Sequence, residues 1–465
     1  MIQRFVCSLV LFAVASTAQV QVPDTPAGKS FSAWLDAFNS GDRAKLEAVA
    51  RQFQEPRPVE GMLGFRNTTG GFDLKKITAS TPTSVSVLVQ ERSGDQMAEG
   101  TMEVTAEPPH KITRWGLRAI PRPKEYALPS MTEAELLKAV KQYLDEGAAK
   151  GSFSGSVLIA KNGKPVFTDA RGLADREAKL PNRLDTKYNL GSMNKMFTGI
   201  AAAQLAQQGK LKFTDTVGKH IPDYPNAEVA SKVTIQHLLT HTGGTGDIFG
   251  PEFNANVEKL KDPQDYIALY GKRAPAFEPG SRWAYSNYGM VLAGAIVERA
   301  SGMSYYDYIR ANIYQRAGMK NSDSYWKNED TPNLAKGYTG REGPLRYNYD
   351  SRPMRGSPAG GGYSTCEDLL SFAAALTGHK LLDAAHTKLV TTAQPGTENS
   401  GGYGYGFGVD EEGGVRSFGH SGGAPGITAG LKIFPDSGYV VVVMGNLDPP
   451  AATRVSDFIA ARLPR

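Results

Sequence analysis

Residues 417–426 read SFGHSGGAPG, and within them Gly419-His420-Ser421-Gly422-Gly423 satisfies the pattern G-x-S-x-G. That pattern can mark a sharp strand-to-helix turn that exposes a nucleophilic serine at the top of a sheet. Whether Ser421 is that serine decides both the fold and the chemistry.

The chain around it argues against the elbow. In the α/β-hydrolase arrangement an acid and then a histidine follow the serine. Here the last of the seven histidines is His420, so none follows Ser421. The elbow must also open a helix, whereas GGAPGITAGLKIF passes through Pro425 into a strand-like run. Ser421 fails on order and on context.

A second serine has better surroundings. In YNLGSMNKMFTGIAAAQLAQQG (188–209), Ser192 and Lys195 form S-x-x-K at the start of a predicted helix. Three residues turn a helix by about 300° and raise it about 4.5 Å, so the two side chains share a face one turn apart. A serine hydroxyl becomes nucleophilic when a base takes its proton, and lysine can be that base when burial lowers its pKa. No Asp or Glu occurs between Asp185 and Asp215, and the helix after Lys195 is dense in Ala and Gly, as a buried central helix is. The helix N-terminus adds positive potential where an oxyanion develops. S-x-x-K alone is a weak signal, equally read as a capping serine and a solvated lysine.

Two further elements strengthen it. Tyr285-Ser286-Asn287 places a phenol and an amide ahead of an apolar helix, and His420-Ser421-Gly422 opens a C-terminal strand. With these three motifs in order, residues 131–465 resemble the serine β-lactamase and penicillin-binding protein superfamily. The likeness is to its branch of class C β-lactamases, D-stereospecific peptidases and related esterases. VTIQHLLTHTGG (233–244), FEPGSRWAYSNYG and SPAGGGYSTCEDL (357–369) resemble stretches of that branch as well.

The resemblance implies Ser192 as the acylated nucleophile and Lys195 as the acceptor of its proton. It implies Tyr285 as a shuttle to the leaving group, a role a phenol fills if nearby cations lower its pKa. Asn287 would hold the substrate's acyl-side amide or orient Lys195. The backbone N–H groups of Ser192 and Gly423 would form the oxyanion hole, with His420, Ser421, Gly422 and Gly423 lining the substrate cleft. One departure matters: β-lactamases usually carry Lys-Thr-Gly where this chain has His420-Ser421-Gly422, and a histidine is mostly neutral at pH 7. The pattern is closer to relatives acting on D-amino-acid peptides or simple esters. The expected function is a secreted serine hydrolase of the carboxylesterase or D-amino-acid peptidase kind. The alternatives are a class C-like β-lactamase and a non-catalytic binder of penicillin or peptidoglycan fragments.

The residues themselves suggest a matching layout. SGSVLIAKNGKPVFTDARG is a hairpin about Asn162-Gly163, and ITAGLKIFPDSGYVVVVMGNL is a strand pair about a PDSG turn. Predicted helices, MTEAELLKAVKQYLDEGAAKG and AATRVSDFIAARL, stand beside them. The expected fold class is α+β: one antiparallel sheet flanked by terminal helices, with a helical lobe between about residues 190 and 400.

The rest of the chain adds a second unit. With 465 residues, 40% hydrophobic and 21% charged, it is long enough for two domains. The balance of 52 basic and 47 acidic residues, 52 − 47 = +5, is interspersed, so no nucleic-acid partner is expected. Residues 1–18 read as a secretory signal peptide, with Arg4 before an apolar run and Ser16-Thr17-Ala18 at its end. That places the protein in the periplasm or outside the cell, without a stable membrane anchor, and leaves Cys366 as the sole cysteine. Residues 28–120 read as a small α+β domain, loosely resembling nuclear transport factor 2-like cones, and more a structural or substrate-shaping appendage than a catalytic one. Helices are expected around Phe31-Trp34-Leu35-Phe38 and after Asp42. Strands are expected through Val85-Val87-Val89, Met102-Val104 and KITRWGLRAI. Residues 121–130 read as a proline-rich linker.

Two other signals have plain readings. His237 and His241 in HLLTH share a helical face, but the glutamate of H-E-x-x-H is absent, so a structural role is expected and neither a metal nor a cofactor. Ser364 and Glu367 fit a capping box ahead of Cys366, which reads as a small packed residue.

Overall fold

The structure is a computed structural model, and it describes residues 20–120, 122–340, 344–412 and 414–464. The signal-peptide reading falls on residues 1–18, outside the described residues. The chain separates into two compact units between Arg122 and Pro123, inside the proline-rich stretch.

In the first unit, helix Pro26–Ser40 starts where the Thr25 side chain accepts from the Gly28 N–H and stops at Gly41, which takes a left-handed conformation (φ 66°). Asp42 caps the next helix, Arg43–Ala50. A third helix, Val59–Thr69, precedes a five-stranded antiparallel sheet. Phe31, Trp34 and Phe38 on the first helix bury against Val85, Val87, Val89 and Met102 on the sheet. KITRWGLRAI is two short strands and not the one expected, Ile112–Arg114 and Leu117–Ile120, both paired with Met97–Val104. The break comes at Trp115, which is buried with its ring edge-on to Trp34, centroids 4.7 Å apart.

The second unit is built on six antiparallel strands. Across the sheet they run Gly408–Glu412, Val415–Ala424, Ile427–Phe434, Tyr439–Gly445, Gly155–Lys161 and Lys164–Arg171. The two ends of the unit meet where Tyr439–Gly445 pairs with Gly155–Lys161. Asn162 (φ 52°) and Gly163 (φ 75°) make the two-residue hairpin turn, whose left-handed backbone suits the strand twist.

The valine run explains how both faces are covered. Val441 and Val443 pack with Leu136, Val140 and Leu144 of helix Glu133–Ala149 and with Val455 and Ile459 of helix Ala451–Ala460. Val440, Val442 and Met444 point the other way, into a core shared with Phe197 and Phe372. Period-two alternation thus feeds two cores from one strand. Each buried valine contributes roughly 1.5–3 kcal/mol.

Helix Asn194–Gln207 lies in the larger core, buried at every position from Asn194 to Leu205, as an all-round apolar helix must be. Near helix Cys366–Thr377 one expectation is corrected: Thr365, not Ser364, is the cap, and its side chain accepts from the Asp368 N–H. Ser364 lies in a short strand with its hydroxyl 2.7 Å from Ser322 Oγ. Cys366 is buried, and burial pushes its thiol up to about 12.

Candidate active site

Ser192 lies in a single tight turn, Gly191–Met193, that runs straight into helix Asn194–Gln207. The turn is pressed against strand Val415–Ala424. A Cβ at Gly422 would stand 2.0 Å from the Leu190 carbonyl oxygen, and one at Gly191 would stand 3.0 Å from the Gly423 nitrogen. Gly422, at the variable position of G-x-S-x-G, therefore lets the strand approach the Ser192 turn, whereas a Cβ at Gly419 would stand 1.9 Å from the Leu431 carbonyl oxygen and one at Gly423 would stand 2.9 Å from Pro449 Cγ. Ser421 itself is exposed.

Lys195 is wholly buried. Its Nζ lies 3.1 Å from Ser192 Oγ, 2.7 Å from Asn287 Oδ1 and 2.5 Å from the Ala359 carbonyl oxygen. Burial lowers its pKa to about 7, with Asp247 pulling weakly the other way. A neutral amine has two N–H donors and one lone pair. The two oxygen acceptors take the donors, and the lone pair is left for the Ser192 hydroxyl. Asn287 is itself held by donating from Nδ2 to Asp247 Oδ1 at 2.8 Å.

Tyr285 precedes helix Asn287–Ser301, whose N-cap is Ser286. Lys195 Nζ sits over its ring, 4.7 Å from the centroid. Its hydroxyl interacts with Ser192, yet burial outweighs that contact and pushes the phenol above its ordinary range. The lowering by cations that would favour a shuttle role is therefore outweighed: desolvation dominates and keeps Tyr285 a neutral phenol.

His420 Nδ1 lies 2.6 Å from the Ser421 carbonyl oxygen and Nε2 lies 2.8 Å from the Tyr403 hydroxyl. A carbonyl only accepts, so Nδ1 carries the proton and Tyr403 donates to Nε2. Burial and the nearby Lys195 both lower the imidazole pKa. The third motif therefore presents a neutral ring. Strand Gly408–Glu412 pairs with residues 415–419 of the neighbouring strand, so residues 420–424 run past it.

The two histidines of HLLTH do not share a helical face. The helix spans Ile235–Leu239, and His241 lies beyond it with φ 62°. His237 Nδ1 accepts from the Thr234 N–H, whereas His241 Nδ1 accepts from the Ser286 N–H.

The structure thus gathers Ser192, Lys195, Tyr285 and Asn287, with His420 on the adjoining strand. Sequence reasoning missed four neighbours: His241, Asp247, Ala359 and Tyr403. His241 and Ala359 lie in stretches singled out above, 233–244 and 357–369. Asp247 and Tyr403 carried no signal beyond glycine-rich surroundings.

The family model described as Beta-lactamase matches residues 138–464, more than half of the chain. The chain belongs to the beta-lactamase family. Among relatives, it is 32% identical over 297 residues to the putative penicillin-binding protein PbpX of Bacillus subtilis, covering 63% of this chain and 70% of that one. It is 31% identical over 213 residues to esterase EstB of Burkholderia gladioli, covering 43% and 53%. Penicillin-binding protein 4* of Bacillus subtilis is 36% identical over 179 residues, or 38% of this chain and 39% of that one. The aligned stretches therefore span well under two thirds of two of these relatives. A solved penicillin-binding protein from Bacillus halodurans superposes with TM-score 0.63 at 32% identity, covering 68% of this chain and 99% of that one. A D-stereospecific amidohydrolase from Streptomyces gives 0.60 at 25%, covering 69% and 97%. The relatives thus include an esterase and penicillin-binding proteins, and the two solved structures, a penicillin-binding protein and an amidohydrolase, share the fold of about two thirds of this chain.

Proposed function

We propose that this protein is a serine hydrolase that cleaves an uncharged ester or amide through an acyl-Ser192 intermediate. Lys195 takes the hydroxyl proton as Ser192 attacks. Tyr285, a neutral phenol in contact with Ser192, gives its proton to the leaving group and takes back the one Lys195 accepted, so both groups are neutral again in the acyl-enzyme. The backbone N–H groups of Ser192 and Gly423 receive the oxyanion, and each such donor contributes roughly 3–4 kcal/mol to barrier lowering. Residues 420–424 offer a strand edge along which an extended acyl chain can lie. Residues 1–18 support export as the setting for this activity.

The single observation behind the reading is the Lys195 environment, a wholly buried amine with Ser192 Oγ, Asn287 Oδ1 and the Ala359 carbonyl oxygen in reach. Once the amine is neutral, the two acceptors take its N–H groups and its lone pair serves Ser192. The neutral His420 favours substrates without a carboxylate at the third motif, placing esters and amino-acid amides ahead of β-lactams.

The test is a panel of p-nitrophenyl esters, D-amino-acid amides and a chromogenic cephalosporin, run on the wild type, Ser192→Ala and Ser421→Ala. We expect steady turnover of ester or amide, lost in Ser192→Ala and altered mainly in KM in Ser421→Ala. A single stoichiometric acylation without turnover would show a binder, and loss of turnover only in Ser421→Ala would restore the elbow.

A further inference from the structure

We propose that His241 is a positioning residue that holds Tyr285 in place against Ser192. The inference rests on the reading of Tyr285 as the proton relay.

His241 brackets Tyr285 from both sides along the chain. Its carbonyl oxygen accepts from the Ala284 N–H at 2.9 Å, and its Nδ1 accepts from the Ser286 N–H at 3.2 Å. Between these two anchors the Tyr285 ring lies against the imidazole, centroids 4.4 Å apart. Backbone and ring of one residue thus fix both peptide neighbours and one face of the phenol.

The bracket reaches the third motif too. The His241 ring also packs on Tyr403, centroids 4.7 Å apart, and Tyr403 hydrogen-bonds His420. One imidazole therefore spaces the phenol of the second motif from the tyrosine that anchors the third.

Two unfavourable features accompany this placement. His241 is a non-glycine residue at φ 62°, a region that costs L-residues energy, though histidine less than most. Its Nε2 is buried without a hydrogen-bond partner among the described residues. Because Nδ1 accepts, the proton is on Nε2, so this is an orphaned donor. Strain and an orphaned polar group persist where surrounding structure enforces them, and such features cluster at functional sites.

The distinguishing atom is Nδ1. Asparagine places an amide oxygen near the position of Nδ1 and tolerates left-handed backbone, whereas glutamine carries its amide further out, near Nε2. The experiment compares His241→Asn, His241→Gln and Tyr285→Phe, with both doubles onto Tyr285→Phe, using kcat and KM for the best ester or amide of the panel and thermal unfolding as a check on folding. We expect His241→Gln to lower kcat at least 100-fold with KM within threefold, and His241→Asn to stay within tenfold of wild type. In the Tyr285→Phe background the His241 changes should have no further effect on kcat, since the residue acts through the phenol. If His241→Gln does not fold, His241→Gly takes its place, because glycine adopts φ 62° freely and also lacks the acceptor.

Effects that multiply with Tyr285→Phe, a rise in KM alone, or equal losses for Asn and Gln would overturn the inference. Full activity of Tyr285→Phe would instead remove the relay reading on which it rests.

Discussion

Asn287 Oδ1 lies 2.7 Å from Lys195 Nζ, while the other end of the same amide donates to Asp247 Oδ1. Asn287 is thus a neutral spacer between a buried amine and a carboxylate. A carboxylate in direct contact would hold the amine as ammonium, whereas an amide accepts from the free base equally well. Lys195 must be neutral to act, and its pKa is about 7, so kcat/KM should rise with pH through that value. In Asn287→Asp the new carboxyl meets Asp247 Oδ1 where the amide now donates, so the two acids share a proton. The negative charge they share stands at contact distance from Lys195 and raises its pKa by up to roughly 1–3 units. The rising limb of the kcat/KM profile should therefore move to higher pH by that amount, with activity at pH 7 falling accordingly. Superimposable profiles would show that the amide's neutrality is irrelevant.

The same buried amine makes a stability prediction. Its pKa falls from 10.5 in the unfolded chain to about 7 in the fold, so between those values the unfolded state binds more protons and stability rises with pH. The penalty is complete below pH 7 and vanishes as pH approaches 10.5. At about 1.36 kcal/mol per unit, it is on the order of 4–5 kcal/mol. Lys195→Met removes it, although the Asn287 and Ala359 oxygens then lose a donor, which offsets part of the gain. We expect this inactive variant to resist urea better than wild type at pH 7, with the advantage shrinking by pH 10. A difference independent of pH would contradict a neutralised lysine.

His420 is locked as a neutral ring by Tyr403 and the Ser421 carbonyl. Wild type should therefore prefer an uncharged ester or amide over an analogue bearing a free carboxylate. His420→Lys supplies the missing cation, and a charge-assisted contact contributes about 1.5–3 kcal/mol. The kcat/KM ratio of carboxylate-bearing to neutral substrate should rise at least about tenfold. An unchanged ratio would show that the third motif does not face that end of the substrate.

What sequence revealed was local. Ser192 and Lys195 are three residues apart on one helix, and Asn162-Gly163 dictates its own turn, so neither needs the rest of the fold. Burial of Lys195 was legible because a long stretch around it lacks acidic residues. The sign of the Tyr285 shift was not, since it depends on how deeply the phenol is desolvated by distant segments. His241 looked like a helical partner of His237 because nothing local marks the end of that helix at Leu239. Ala359, Asp247 and Tyr403 come from loops far apart in the chain, and only tertiary packing brings them to the site. The G-x-S-x-G pattern misled for the same reason: Gly419 answers to the Leu431 carbonyl, Gly422 to the Leu190 carbonyl and Gly423 to Pro449, none of which the motif contains.

The central claim, that Ser192 is activated by an uncharged Lys195, is tested most directly by fluorophosphonate labelling followed by tryptic mass spectrometry. We predict one adduct, on the Ser192 peptide 188–195 of the wild type, formed faster as pH rises through about 7 and at least 100-fold slower (~3 kcal/mol) in Lys195→Met, where the same serine lies on peptide 188–210. An adduct on Ser421, or labelling of Ser192 that is indifferent to loss of the lysine, would contradict it.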